Sequence, residues 1–139
     1  MEGSKLLKYT GTAEAVSIPA DIKSIGEEAF AGNDDLIKVT IEGDVEYIGY
    51  RAFAECDNLR TILVGDNVET IDTAAFSNNK ELVNVTLGAG VKELGTGVFA
   101  GCSQLKDLTL SEDNTYLHYS NGILYDDEET IVYALMPAY

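Results

Sequence analysis

The chain repeats itself every 23 residues, and that period constrains the fold more tightly than any other feature of the sequence. The pair Ala29-Phe30 returns as Ala52-Phe53, Ala75-Phe76 and, with one substitution, Val98-Phe99. Leu36, Leu59, Leu82 and Leu105 follow in the same frame, then Val39, Ile62, Val85 and Leu108, then Ile41, Val64, Leu87 and Leu110. Ile22, Val45, Val68 and Val91 come next, and three residues later Ile25, Ile48, Ile71 and Leu94. Glycine succeeds that last column at Gly26, Gly49 and Gly95, with Asp72 as the exception. An earlier copy containing Ala13, Val16 and Ile18 extends the array backward.

Each unit opens LxxVxI, whose last two apolar residues alternate with polar ones as a half-buried strand requires. The remainder, VxxIGxxAFxxC, spaces its apolar residues by three and four, which predicts a tight turn and a short helical or 3₁₀ segment. One unit is then one coil of a solenoid. A single coil cannot bury its own apolar face, so neighbouring coils must complete the core.

The pattern LxxVxIxxxVxxIGxxAFxxC resembles the BspA-like class of leucine-rich repeats over residues 13–110. That resemblance implies an α/β fold, a right-handed β/α solenoid with a parallel sheet along its concave side. It also implies relatives that are surface-exposed and adhesive, found chiefly in bacteria. The AF motif is lost after Leu110. Residues 111–139 read as a turn, a β-rich run at Gly122 to Tyr125, an acidic turn at Asp126 to Glu129, and a strand at Thr130 to Leu135. Together they predict a capping hairpin, and the Asn-Gly-Ile-Leu-Tyr run is similar to the terminal module of such arrays. Residues 1–12, with LLKYTG, are expected to supply a capping strand at the other end.

Composition narrows the partners. A formal charge of −15, with nine Lys plus Arg among 139 residues, repels phosphate backbones and anionic lipid. Nucleic acid and bare membrane are therefore poor partners. No run approaches the roughly 20 apolar residues that span a bilayer. The opening MEGSKLLKY lacks the apolar stretch of a signal peptide, so the sequence leaves a cytoplasmic location open beside the cell surface that the resemblance implies. Two cysteines are too few for a disulfide scaffold.

Several residues invite a chemical reading. Cys56 and Cys102 occupy the repeat position that Asn33 and Asn79 fill elsewhere, which marks a small residue closing a turn rather than a nucleophile. Two coils apart at ~4.8 Å per strand, they lie about 10 Å or more from each other, beyond the ~7 Å limit for a disulfide. His118, the only histidine, has no nucleophile motif such as GxSxG beside it. The acidic runs at 32–35, 111–114 and 126–129 lack calcium-loop spacing and read as solvated turns. Neither a metal nor a cofactor is expected. Asn84-Val85-Thr86 is a formal glycosylation sequon within a predicted strand. Tyr47 and Tyr50 sit on the turn side of the second full coil, where they could form an aromatic contact.

The remaining candidate is the concave face, where the x positions of each LxxVxI point outward. Reading across the coils, one column is Lys38, Thr61, Asn84 and Asp107, and the other is Thr40, Leu63, Thr86 and Thr109. Strand propensity accounts for the threonines at least as well as a ligand does. Five strands of ~5 residues give about 24 by 17 Å, or ~400 Å², half of the ~800 Å² per partner of a standard interface. The expectation is a non-enzymatic, protein-binding repeat module whose face is too small to bind tightly alone and which suits a larger surface protein. A structural spacer without a ligand of its own is the alternative. The oligomeric state expected is a monomer.

Overall fold

Alternation and period set the elements in place. The computed structural model describes residues 4–128 and the backbone of 131–134. Each LxxVxI motif becomes a strand of one parallel sheet: β2 (Ala15–Ser17), β4 (Lys38–Ile41), β6 (Thr61–Val64), β8 (Asn84–Leu87) and β10 (Asp107–Leu110), ordered β10-β8-β6-β4-β2. Their registers equal the repeat, so Val39 lies beside Ile62, Ile62 beside Val85, and Val85 beside Leu108.

The VxxI motif builds a second parallel sheet: β1 (Ser4–Leu6), β3 (Ile22–Ile25), β5 (Tyr47–Ile48), β7 (Thr70–Ile71) and β9 (Glu93–Leu94), in that spatial order. No described residue is helical, and the AFxxC segments are successive turns. The helical or 3₁₀ part of the expected β/α coil is thereby corrected to a strand and turns. The reason lies in the rise. Each coil advances by about 4.8 Å along the strand ladder, whereas a helix with its side chains is about 10 Å across. The stacked phenyl rings keep to the smaller figure: Phe30 to Phe53 is 4.6 Å between centroids, Phe53 to Phe76 is 5.6 Å and Phe76 to Phe99 is 5.8 Å.

A backbone ladder holds the turns together. The N–H groups of Glu28, Phe30 and Gly32 donate to the carbonyls of Tyr50, Ala52 and Ala54 in the next coil at 2.7–2.9 Å, while those of Ala29, Ala31 and Asn33 donate within their own coil. The next coil repeats the arrangement from Arg51, Phe53 and Glu55 to Thr73, Ala75 and Ser77. Such alternation requires left-handed residues on both sides of the Ala-Phe pair, at Glu28 and Gly32, Arg51 and Glu55, Ala74 and Asn78, and Gly97 and Gly101. A left-handed conformation costs a side-chain-bearing residue roughly 1–2 kcal/mol, and satisfied buried backbone groups offset it. Close stacking also explains the glycine column. A Cβ at Gly49 would lie 2.8 Å from the carbonyl oxygen of Ile25, and one at Gly26 would lie 2.8 Å from that of Leu6.

The core runs unbroken from Ile18 to Leu124, with Phe30, Phe53, Phe76 and Phe99 at most 1% exposed. Ahead of residue 13, β1 pairs with β3 and places Leu6 beside Ile25. Tyr9 stacks on Phe30 at 4.7 Å, and its N–H donates to Ala29 at 2.9 Å, the bond that Phe30 makes to Ala52. Tyr9 thus occupies the place of a Phe, 21 residues ahead of Phe30 instead of 23.

At the other end a three-stranded antiparallel sheet forms from β11 (Leu117–Ser120), β12 (Ile123–Asp126) and β13 (Ile131–Ala134). The expected hairpin lacks β11, whose residues form a strand where a turn is expected. Asn121 and Gly122, both at positive φ, make the two-residue connection between β11 and β12. Of the expected strand at Thr130 to Leu135, the two end residues lie outside the described set, as do residues 1–3, Glu129 and 136–139.

Phe53 has an aromatic ring on either side and no solvent contact. Phe53→Ala is expected to cost about 3–5 kcal/mol in denaturant unfolding. A loss below about 1 kcal/mol would contradict the role given to the ring column.

Candidate functional site

The eight candidate residues of the β10-β8-β6-β4-β2 sheet share one face, which Ala15 and Ser17 of β2 extend. Its register aligns Lys38, Thr61, Asn84 and Asp107 in one row and Thr40, Leu63, Thr86 and Thr109 in the next. Lys38, Asn84, Asp107 and Thr109 are exposed, and the other four are half-buried. The intervening Val39, Ile62, Val85 and Leu108 point into the core. Strand period and burial therefore separate the two sets.

One edge of this face is concave. The turns after β4 and β6, together with Leu63 and Thr86, enclose an open cleft of about 420 Å³, with Glu42, Gly43, Asp66 and Asn67 among its walls. Asp66 Oδ1 accepts the N–H of Ala89 at 2.8 Å, and Asn67 Nδ2 donates to the carbonyl of Gly43 at 2.6 Å, so neighbouring coils fix both side chains. A second cleft of about 290 Å³ lies at the opposite strand ends, among Glu14, Asp34, Asp35, Ile37, Asn58 and Arg60. The sequence singled out Leu63 and Thr86, whereas the turn residues escaped notice because no motif identifies a cleft wall.

The cysteines are part of the turn structure. Cys56 Sγ donates to the carbonyl of Phe30 at 3.2 Å, and Cys102 Sγ to that of Phe76 at 3.1 Å. Asn79, at the same repeat position, donates to the Phe76 carbonyl and accepts the N–H of Cys56 at 2.8 Å. Burial pushes the Cys56 thiol up to about 12 and the Cys102 thiol up to about 11. Both cysteines are free, and both thiols stay protonated across the range in which thiolate nucleophiles work. His118 has a different partner: its Nε2 lies 2.6 Å from Asp127 Oδ1, and its ring is 5.2 Å from that of Tyr125. Thiol and imidazole thus point to separate groups.

Tyr47 lies in β5, not on a helical turn, and its hydroxyl donates to the carboxylate of Asp72. That bond, with partial burial, raises Tyr47 to about 12 and holds Asp72 below its ordinary value. Asp72 is the residue that breaks the glycine column, so the irregularity has a partner in the preceding coil. Tyr50 is exposed, and its carbonyl accepts the N–H of Glu28.

Asn114 was missed as a structural residue. It stands 23 positions after Val91, a polar side chain in an apolar column, and is nearly buried. Its Nδ2 donates to the carbonyls of Gly88 and Val91, and its Oδ1 accepts the N–H groups of Tyr116 and Leu117. The array's frame therefore continues past Leu110, with Leu117 in the column of Leu94. Among the described residues no group of three or more His, Cys, Asp or Glu side chains could hold a metal ion. Among the same residues no helix is long and apolar enough to cross a membrane.

The elevated thiols carry a pH consequence. An unfolded thiol loses its proton near pH 9, whereas the folded ones hold theirs to about 11–12. Between those values the folded state binds more protons, so stability is expected to fall as the pH rises above 9. Equilibrium unfolding from pH 8 to 10.5 tests this, and Cys56→Asn, which copies the neighbouring coils, should flatten the slope at a cost of about 1 kcal/mol or less at pH 7. Rapid thiol labelling of the folded protein at pH 8 would contradict the burial.

Comparison with known proteins agrees with this geometry. Residues 3–121 match the BspA type leucine rich repeat region in six copies. The pneumococcal vaccine antigen PcpA superposes with a TM-score of 0.76 at 22% identity, over 95% of this chain and 42% of that one. A leucine-rich repeat protein from Bacteroides capillosus gives 0.70 at 24% identity, over 78% of this chain and 88% of that one. A leucine-rich repeat protein of T. pallidum gives 0.51 at 27% identity, over 75% and 62%. Curated proteins gave no match. The chain spans less than half of the pneumococcal antigen, and its repeats cover residues 3–121 in register with the family pattern. It belongs to the BspA-type leucine-rich repeat family.

Proposed function

We propose that this chain is a non-enzymatic protein-interaction module, displayed at a bacterial cell surface as part of a larger assembly, and that it binds through the face formed by Lys38, Thr40, Thr61, Leu63, Asn84, Thr86, Asp107 and Thr109. One observation carries the reading: the face offers two columns of outward side chains on a rigid parallel sheet whose opposite side is fully committed to the core. A surface preorganised in this way loses little conformational entropy when a partner docks. The superposition on a vaccine antigen supports surface display, and the family supports interaction over catalysis. Residues 1–12 and 111–139 act as the caps of the array in this reading.

A spacer role is the second reading. It is favoured by the 42% coverage of the pneumococcal antigen, in which coils of this kind belong to a much longer chain.

Replacing Lys38, Asn84 and Asp107 together with alanine separates the two. Each is exposed, so the unfolding midpoint should stay within the range of ordinary surface substitutions, about 0.5 kcal/mol each. Capture of immobilised matrix proteins, measured by surface plasmon resonance, should weaken at least tenfold. Undiminished capture would count against the face, and a wild-type chain that captures nothing would favour the spacer.

A further inference from the structure

We propose that the cleft at the ends of β6 and β8 docks a basic, extended segment of a protein partner, with Leu63 as the apolar contact at its centre. The proposal rests on the interaction reading above and adds the partner's chemistry.

Leu63 is the starting observation. Its column is otherwise Ser17, Thr40, Thr86 and Thr109, all hydroxyl-bearing, and the side chain is half-buried beside an open cleft of about 420 Å³. That volume falls within the ~300–1,000 Å³ of sites that enclose small ligand groups. A leucine at this point gives no packing to the core, because Ile62 and Val64 on either side already face inward. It does give an apolar floor to the cleft.

Charge selects the occupant. The turns that follow β4, β6, β8 and β10, at residues 42–44, 65–67, 88–90 and 111–113, contain Glu42, Asp44, Asp66, Glu112 and Asp113 and no lysine or arginine. Glu42 and Asp66 flank the cleft itself. The bond from the Ala89 N–H holds the Asp66 carboxylate in place, and the Asn67 bond to Gly43 ties the two turns together. The Asp66 carboxylate is thus positioned before any ligand arrives. The other strand ends are mixed in sign, with Lys38, Arg60 and Lys106 beside Asp35, Glu81 and Asp107, and Arg60 Nη2 lies 3.8 Å from Glu81. The face is therefore polarised along the strand direction. A chain of net charge −15 also attracts a basic segment from a distance and repels an acidic one. An extended backbone fits because its alternate side chains can reach the apolar floor and the acidic rim in turn.

The test uses three fluorescein-labelled nine-residue peptides of equal length, in which lysine alternates with leucine, lysine with serine, or glutamate with leucine. Anisotropy should show binding of the lysine–leucine peptide that weakens as salt is raised. Leu63→Thr, which copies its column, and Glu42→Gln with Asp66→Asn, which keeps the oxygen that Ala89 bonds, should each weaken binding about tenfold or more while leaving the unfolding midpoint unchanged. No binding to the wild-type chain would overturn the proposal. So would equal binding of the lysine–serine peptide, or a Leu63→Thr variant that binds as well as wild type, since either would mean diffuse attraction to acidic surface. A matrix protein whose capture is lost in the Lys38, Asn84 and Asp107 variant but kept in Leu63→Thr would overturn the cleft and leave the interaction reading standing.

Discussion

The structure depends on the requirement that each 23-residue coil rise by the spacing of one hydrogen-bonded strand on every side at once. Two parallel ladders meet it on the two sheets, and a third runs through the Ala-Phe turns, where alternate N–H groups reach the following coil. The phenyl column then closes at 4.6–5.8 Å between rings, in the favoured range for aromatic pairs. This common rise accounts for the absence of helix among the described residues, for left-handed residues at fixed positions, and for glycine where one backbone passes over another. These features are one constraint expressed in different columns.

The ends of the array meet the same constraint with different residues. Tyr9 supplies the ring and the backbone donor that an earlier Phe would have supplied, and β1 adds a strand edge to β3. At the far end Asn114 replaces a column valine and converts apolar packing into four hydrogen bonds, which link the turn below β9 to the start of β11. Leu117 and Leu124 then continue the core into an antiparallel sheet. The parallel stack gives way to the antiparallel sheet just after Asn114, whose polar side chain stands where Val91 packs one coil earlier. A buried amide is tolerated there because each of its bonding groups is used.

Much of this was legible from residue types alone. The strands of the longer sheet, their register and their outward columns follow from alternation repeated at a constant interval, since a one-residue slip would expose the whole apolar set. The VxxIG segments were not legible to the same degree. Spacings of three suit a helical turn as well as a short strand followed by a bend, and only the coil's rise decides between them. Tyr9 escaped because its frame slips by two residues, and β11 escaped because only Leu117 keeps the repeat pattern there, with Asn114 and His118 standing where Val91 and Gly95 stand one coil earlier. Of the candidate site, the outward residues were readable and the cleft was not. Its walls are turn residues whose position comes from the coils above and below, as with Asp66 held by Ala89.

Where a residue departs from its column, packing no longer explains its identity, and another partner must. Asp72 in the glycine column meets Tyr47, and Asn114 in the valine column meets four backbone groups. Ser77 in an alanine column has a buried hydroxyl with no partner among the described residues, a cost of about 1–3 kcal/mol that no contact in the structure explains. Leu63 is the reverse case, an apolar side chain where its column calls for threonine, and it sits at an open cleft instead of in the core. The first two departures are satisfied within the chain. Leu63 has apolar surface left to cover, so the same logic that locates the internal partners of Asp72 and Asn114 directs the search for an external partner to the cleft beside Leu63.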